Sequence, residues 1–229
     1  MAVSRDITVL ELDGPHLAAI TASVNASRVV VQRWHFADRP ADVAPDDAQA
    51  VGEWVGREFR MADLSRSRVV FAVSRGDVVL KQLALPASAN VSAGDLAGMV
   101  RLQMVRQLTM TVEGSAIDFI PLEPHSEGSL VRPVLAGAIP AERVEWCRRI
   151  AAAAGIKLSR IAVRSFGTAT SLGAQSQRLD GPVLGVAIGS TSTEFVVVEN
   201  GTLVFARAAD LARPSSPAEF SGFADRVGI

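Results

Sequence analysis

The stretch that most constrains the fold is residues 181–207, GPVLGVAIGSTSTEFVVVENGTLVFAR, which indicates three apolar strands joined by two turns of small residues. The first turn, residues 189–193, offers backbone N–H groups and hydroxyls that can approach an anion. The second turn contains Asn200 and Gly201, a pair that accepts the positive φ of a two-residue hairpin. Strand, turn and strand of this kind are typical both of a phosphate-binding turn and of an ordinary hairpin core, and the residues alone leave both open.

Composition narrows the classes of function. The 229 residues are 48% hydrophobic, enough for one large or two small domains, and the net charge of −1 gives no general attraction to nucleic acid or to an anionic membrane. Cys147 is the only cysteine, so we expect no internal disulfide, no zinc site and a reducing setting. The sequence contains no apolar run of about 18 residues, the length that a membrane-spanning helix needs, so we expect no membrane span. We therefore expect a cytoplasmic protein with no metal, no nucleic-acid partner and no direct membrane insertion.

Apolar patterns along the rest of the chain predict alternating strands and helices, hence an α/β fold. The first three strands are expected over 7–12, 17–24 and 28–36, followed by a helix that Asp46 or Asp47 can cap. The nearly continuous apolar run at 68–73 is typical of a strand buried on both faces. Further strands are expected over 78–85, 117–121, 131–138 and 158–163, and further helices over 95–108, 141–154 and 165–172.

This order predicts two lobes, the first interrupted by an inserted β-α-β-β-α unit. The predicted boundaries are 1–77 for the first part of the first lobe, 78–154 for the inserted unit, 155–180 for the return to the first lobe and a linker, and 181–229 for the start of a second lobe that is only partly present.

Three stretches resemble one known family in their order and spacing. The first stretch, residues 68–86 (RVVFAVSRGDVVLKQLALP), contains two predicted strands and ends in an L-x-L-P pattern. The second, residues 95–118, contains a predicted helix with Leu102 and Gln103. The third, residues 134–166, has the predicted order strand, helix, Ala-Gly turn, strand and helix. Together they resemble the PilM-like family of type IV pilus assembly and competence proteins, whose relatives include FtsA and the cytoplasmic part of GspL. The resemblance implies the actin-like ATPase fold (ribonuclease H-like lobes with a nucleotide between them).

The resemblance also implies a site for ATP and Mg at two turns. Relatives carry D-I-G-S-S in the first hairpin, where this chain has ELDGPH from Glu11, and Pro15 removes an N–H that could bind phosphate. Relatives carry D-I-G-x-x-T-T-D in the second turn, where Ala187 and Glu194 replace the two aspartates. Losing one such group costs on the order of 10²–10³ in rate, so we predict a degenerate site. The candidate nucleotide-binding residues are Glu11, Asp13, Gly14, Gly189, Ser190, Thr191 and Thr193.

The resemblance further implies a scaffold that binds the cytoplasmic tail of an inner-membrane pilus or secretion protein, which would hold the chain at the inner membrane. In relatives the tail docks beside the inserted unit, and a homo-oligomer is also compatible with the family. Two alternatives stay open: an active actin-like ATPase, and the cytoplasmic domain of a GspL-like type II secretion protein. A methionine-rich helix face adapts to peptides but is also common in cores. The candidate peptide-binding residues are Leu80, Leu83, Met99, Arg101 and Met104.

Overall fold

The described strands form three sheets that four helices cover and connect. The computed structural model describes residues 6–25, 28–87, 92–108, 113–122, 129–176, 181–214 and 219. The strands are β1 (Asp6–Asp13), β2 (His16–Val24), β3 (Val29–Asp38), β4 (Val69–Val73), β5 (Val79–Pro86), β6 (Ala116–Pro121), β7 (Val131–Ile139), β8 (Leu158–Val163), β9 (Val183–Ile188), β10 (Thr193–Glu199) and β11 (Thr202–Ala209). The helices are α1 (Ala48–Met61), α2 (Ala93–Gln107), α3 (Ala141–Ala154) and α4 (Arg164–Ser176). None of these helices is long and apolar enough to cross a bilayer.

The first lobe is built on a five-stranded sheet of order β3-β2-β1-β4-β8. Its first three strands form the predicted antiparallel meander, and β4 and β8 are added in parallel. Helices α1 and α3 lie on one face and pack closely on each other, because α1 presents glycines where they meet. A Cβ at Gly52 would lie 2.6 Å from the Ala153 Cβ, and one at Gly56 would lie 2.8 Å from the Ala154 carbonyl oxygen. Asp47 caps α1 by accepting from two backbone N–H groups, as expected.

The opposite face of this sheet is largely exposed in the part of the chain that the structure describes. Large apolar side chains lie on it, including Val9, Ile20, Trp34 and Phe36. The prediction that residues 68–73 form a strand buried on both faces is therefore wrong: β4 alternates between buried and half-buried positions. The apolar run continues through β4 because its second face belongs to this exposed patch, and not because a described helix covers it.

The inserted unit is a three-stranded sheet of order β5-β7-β6 with α2 packed on one face. Alternate residues of the central strand β7, from Val134 to Ala138, point into the core beneath α2. A capping box between Ser92 and Asp95 begins α2.

Helix α3 lies outside this unit. The sequence pattern places it as the last element of the insertion, whereas in the structure its buried residues Val144, Cys147 and Ile150 join the core of the first lobe. The prediction that Cys147 is a core residue is confirmed, since its side chain is fully buried. We therefore propose that the inserted unit ends with β7, earlier than residue 154.

The second lobe begins with the antiparallel meander β9-β10-β11, which α4 covers on one face. The predicted hairpin turn is confirmed, with Asn200 at φ 50° and Gly201 at φ 75°. Val196, Val198 and Leu203 form the small core under α4. The loop expected near residues 123–129 and the short helix expected near the end of the chain fall mostly outside the described residues.

Candidate functional site

The turns that follow β1 and β9 meet at the junction of the two lobes. The Ser190 N–H donates a hydrogen bond to Asp13 Oδ2 at 2.7 Å, and the Ser190 hydroxyl donates to the Asp13 carbonyl oxygen at 2.6 Å. The Thr191 hydroxyl adds a longer contact to Asp13 Oδ1 at 3.3 Å. The two turns that the sequence predicted to face a nucleotide thus hydrogen-bond directly to each other.

Two glycines make this close approach sterically acceptable. Gly14 has φ 61°, and a Cβ on it would lie 2.9 Å from Ser190 Oγ. A Cβ on Gly189 would lie 2.8 Å from Asp13 Oδ2 and 2.7 Å from the Ser192 carbonyl oxygen. Real Cβ atoms do not come this close to such atoms, so a side chain at either position would push the turns apart.

Arg164, the first residue of α4, connects three acidic residues at this junction. Its Nη1 donates to Glu11, its Nη2 donates to Glu194 Oε1 at 2.8 Å, and its Nη1 lies 3.8 Å from Asp13 Oδ2. Burial lowers the pKa of Arg164, but the charge of Glu11 and the hydrogen bonds to Glu194 outweigh that effect, so its pKa is raised overall. The guanidinium therefore stays charged and holds elements of both lobes together.

Glu194 is fully buried and receives donors from several directions. Its Oε1 accepts from the Arg75 N–H at 2.8 Å and from the Ser74 hydroxyl at 3.2 Å, and its Oε2 accepts from the Ser165 hydroxyl at 2.9 Å. Burial lowers the pKa of the Arg75 guanidinium, and the charge of Glu194 opposes that shift. A buried carboxylate is tolerated when it is paired and fully hydrogen-bonded, and Glu194 meets both conditions.

The structure brings together six of the seven predicted nucleotide-binding residues, with Glu11 joined to Asp13 through Arg164. Thr193 is the exception, because its buried hydroxyl donates to the Leu211 carbonyl oxygen at 2.6 Å. Sequence reasoning missed Arg164, which lies 153 residues from Glu11. The available signal was an arginine placed directly after a half-buried strand, at the first position of a helix.

These residues do not fit Mg-ATP, which the sequence resemblance implied. Ala187 lies opposite Glu194 in the β9–β10 pairing and supplies no carboxylate for a metal-bound water. Among the described residues, no cluster of three or more Asp, Glu, His or Cys side chains is arranged to hold a metal ion. The N–H of Ser190, which would face a phosphate, is already bonded to Asp13.

A second concave surface, the β6–β8 groove, lies between the inserted sheet and the first lobe and has a volume of about 660 Å³. It is bounded by β6 and β8, each of which has a strand partner on one side only among the described strands. Its floor is largely apolar and includes Gly137, which pairs with Leu80 on β5. The residues of the groove used below are Leu80, Asp118, Ile120, Leu135, Gly137, Arg148, Arg160 and Ala162.

The predicted peptide-binding residues do not share one surface. Leu80 lines the groove, but Leu83 and Met104 are buried in the core between the inserted sheet and α2. Met99 packs against that same core, and Arg101 is exposed on α2. The reason is the alternation along β5, which sends Leu80 and Leu83 to opposite faces of the sheet.

The fold and the paired turns place this chain among actin-like proteins. The family model for type IV pilus assembly protein PilM matches residues 19–212, and the chain belongs to this family. None of the curated proteins compared with the chain matches it significantly.

Solved structures agree on the fold. A structure described as a PilM-PilN type IV pilus biogenesis complex superposes with a TM-score of 0.78 at 21% identity, covering 97% of this chain and 66% of that one. The cytoplasmic domain of EpsL, an inner-membrane component of the type II secretion system of Vibrio cholerae, gives 0.55 at 15% identity, covering 90% and 71%. A protein of actin-like ATPase fold from Bacteroides thetaiotaomicron gives 0.54 at 10% identity, covering 99% and 78%. This chain thus spans 66% of the length of the first of these relatives.

Proposed function

We propose that this chain is an actin-like scaffold of a type IV pilus machine that binds the cytoplasmic tail of an inner-membrane protein in the β6–β8 groove. The observation that carries the proposal is the groove itself, an apolar channel between two strand edges that have no second strand partner among the described strands. Family membership supports the pilus setting, and the description of one structural relative as a PilM-PilN complex supports a protein partner.

The groove has the chemistry of an extended apolar peptide site. An extended segment can add backbone hydrogen bonds to a strand edge while its alternate side chains enter apolar pockets. Leu80 and Leu135 offer the apolar floor, and Gly137 leaves space between them, since a Cβ there would lie 3.1 Å from Leu80 Cδ2. Arg148 and Arg160 line the groove as exposed cations, with Asp118 as an anion opposite Gly137. We therefore expect the docked segment to be mainly apolar, with polar groups that face these charged side chains.

The turns at the lobe junction give no support to an active ATPase as the function. Their donors bond to Asp13, and Ala187 stands where a metal-holding carboxylate is needed. We therefore propose that the chain binds and positions a partner without nucleotide hydrolysis.

The test is calorimetric titration of the protein with a synthetic peptide of the cytoplasmic tail encoded beside its gene. In the variant Ile120→Glu, a charge enters the apolar groove, and we expect the affinity to fall at least about 10-fold. The matched control is Leu102→Glu, an exposed leucine on α2 that lies on the other side of the inserted sheet. Equal losses in both variants, or no binding by the unaltered protein at high micromolar peptide, would contradict the proposed site.

A loss confined to Leu102→Glu would instead favour the α2 surface, where the sequence placed Met99 and Arg101. Circular dichroism and thermal unfolding of both variants establish that any loss reflects the surface and not the fold.

A further inference from the structure

The lobe junction has the geometry of an anion site that is already filled. We propose that the 189–191 turn binds the protein's own Asp13 carboxylate in place of a phosphate, so that the two lobes are latched together without a nucleotide. This latch, formed by Asp13, Ser190 and Thr191, is independent of the β6–β8 groove and of any partner that binds there.

The donors of the latch are those that hold phosphate oxygens elsewhere. A backbone N–H in a glycine-containing turn and neighbouring hydroxyls form a common anion-binding arrangement. Here the Ser190 N–H reaches Asp13 Oδ2 at 2.7 Å and the Thr191 hydroxyl reaches Oδ1 at 3.3 Å. A carboxylate is an acceptor-only anion, so it satisfies these donors as a phosphate oxygen would.

The Asp13 carboxylate leaves no space for a second anion at this turn. The Asp13 carboxylate lies against Gly189, where even a Cβ would approach Oδ2 to 2.8 Å. The carboxylates of Glu11, Asp13 and Glu194 share the guanidinium of Arg164, whereas the Arg75 guanidinium donates to the carbonyl oxygens of Val78 and Ala206. Arg213 lines the cavity beside the turn, so a second anion is excluded by the position of the Asp13 carboxylate and not by net charge.

A second set of hydrogen bonds, those of Glu194, also connects the two lobes. Glu194, on β10 of the second lobe, accepts from the Arg75 N–H, two residues beyond β4, and from Arg164 at the start of α4. The two lobes are therefore joined at two points, one at each end of the Arg164 guanidinium. In this arrangement, the closed junction needs no ligand to complete its hydrogen bonds.

The test is the variant Asp13→Ala, which empties the turn but leaves Gly189 and Ser190 in place. We expect the Tm to fall by about 4–8 °C, because charge-assisted hydrogen bonds between the lobes are lost. Added inorganic phosphate at 50 mM then raises the Tm of the variant by at least about 2 °C, since a ligand that binds only the folded state stabilises it. The unaltered protein shows no such rise with phosphate, or with millimolar Mg-ATP, relative to sodium chloride of equal ionic strength.

Asp38→Asn is the matched control, because Asp38 lies close by at the end of β3 but its pairing with His16 is exposed. It changes the Tm by less than about 2 °C and gives no response to phosphate. Three results would each overturn the latch: Asp13→Ala as stable as Asp38→Asn, a destabilised Asp13→Ala that phosphate does not restore, or stabilisation of the unaltered protein by phosphate or Mg-ATP.

Discussion

The lobe junction and the β6–β8 groove are both concave, but they differ in how many of their groups already have partners. At the junction, Asp13 accepts a hydrogen bond from Ser190, and the buried carboxylate of Glu194 accepts from Arg164 and Ser165. In the groove, an apolar floor lies open beside two strand edges. The junction therefore has little binding free energy left to offer a ligand, whereas the groove can gain by burying apolar surface.

The difference indicates that the actin-like fold is present here although the residues at the lobe junction do not fit Mg-ATP. The two turns that the sequence predicted to face a nucleotide bond to each other, because the Ser190 N–H and hydroxyl donate to Asp13. Asp13 and Ala187 stand where the resemblance implied a glycine and an aspartate. The surface that we propose for recognition is the β6–β8 groove beside the inserted unit.

The largest expected effect comes from removing the cation at the junction. Arg164→Met leaves Glu194 buried without its guanidinium, and we expect the free energy of unfolding to fall by about 3–5 kcal/mol in urea denaturation. Arg164→Lys restores part of this loss, because an ammonium keeps the charge but not the forked geometry. The matched control is Arg33→Met, whose exposed pair with Asp63 contributes about 0–1 kcal/mol. Similar losses in Arg164→Met and Arg33→Met would show that the junction is an ordinary surface ion pair.

The next prediction tests whether Met104 on α2 belongs to the core of the inserted unit or to a binding surface. Met104→Ala creates a cavity beneath α2, and we expect it to lower the free energy of unfolding by about 2–5 kcal/mol while leaving the tail affinity of the folded protein unchanged. Met61→Ala, at a methionine that is 72% exposed, serves as control and changes stability by less than about 0.5 kcal/mol. A weaker tail affinity in Met104→Ala, with the fold intact, would return α2 to the binding site.

Local patterns predicted most of the elements because their causes are local. The 141–154 helix agrees with α3 at both ends, since its apolar stripe and the αL glycine at 155 are read from neighbouring residues. The hairpin at Asn200 and Gly201 follows from turn chemistry alone. The resemblance to the PilM-like family predicted the actin-like fold, and the family match and the structural relatives confirm it.

The parts that failed depend on contacts between distant residues. Alternation along β5 already separates Leu80 from Leu83, but spacing cannot say which of the two faces meets α2 and which lines the groove. The apolar pattern of β4 could not show that one of its faces is left open. Arg164 follows β8 at the first position of a helix, but spacing could not identify its partners, because they lie on β1 and β10.

A smaller effect tests how closely the two turns must approach. Gly189→Ala places a Cβ 2.7 Å from the Ser192 carbonyl oxygen, and we expect a loss of about 1–3 kcal/mol in the free energy of unfolding. Gly98→Ala, on α2, adds a methyl group that would have no other atom within 4 Å, and it should instead gain about 0.5–1 kcal/mol from helix propensity. A neutral or stabilising Gly189→Ala would mean that the turns can separate at little cost.

The last effect, which is absent at neutral pH, concerns the thiol of Cys147, whose helix has one side in the core and the other beside the groove. Burial raises the pKa of this thiol to about 11, an effect that the charge of Arg143 partly opposes. The unfolded thiol loses its proton near its ordinary pKa of 9.0, so the unfolded state binds fewer protons between pH 9 and 11. Stability contributed by this group is therefore complete below pH 9 and declines across that window, by at most about 1.4 kcal/mol per pH unit. In denaturation curves over this range, Cys147→Ala should lack that part of the decline.

The reactivity of the buried Cys147 thiol can be compared with that of a thiol introduced in the groove. Cys147 should resist a thiol reagent at pH 7 until the protein unfolds, because burial and a raised pKa both limit the thiolate. A cysteine introduced by Ala162→Cys in the Cys147→Ala background faces the groove and should react in the folded protein. Saturating tail peptide should then slow the labelling of residue 162 if the tail lies in the groove, while a peptide of scrambled sequence should not. Labelling of residue 162 that is unaffected by bound tail would place the docking site elsewhere, because an occupied groove leaves no path to that side chain.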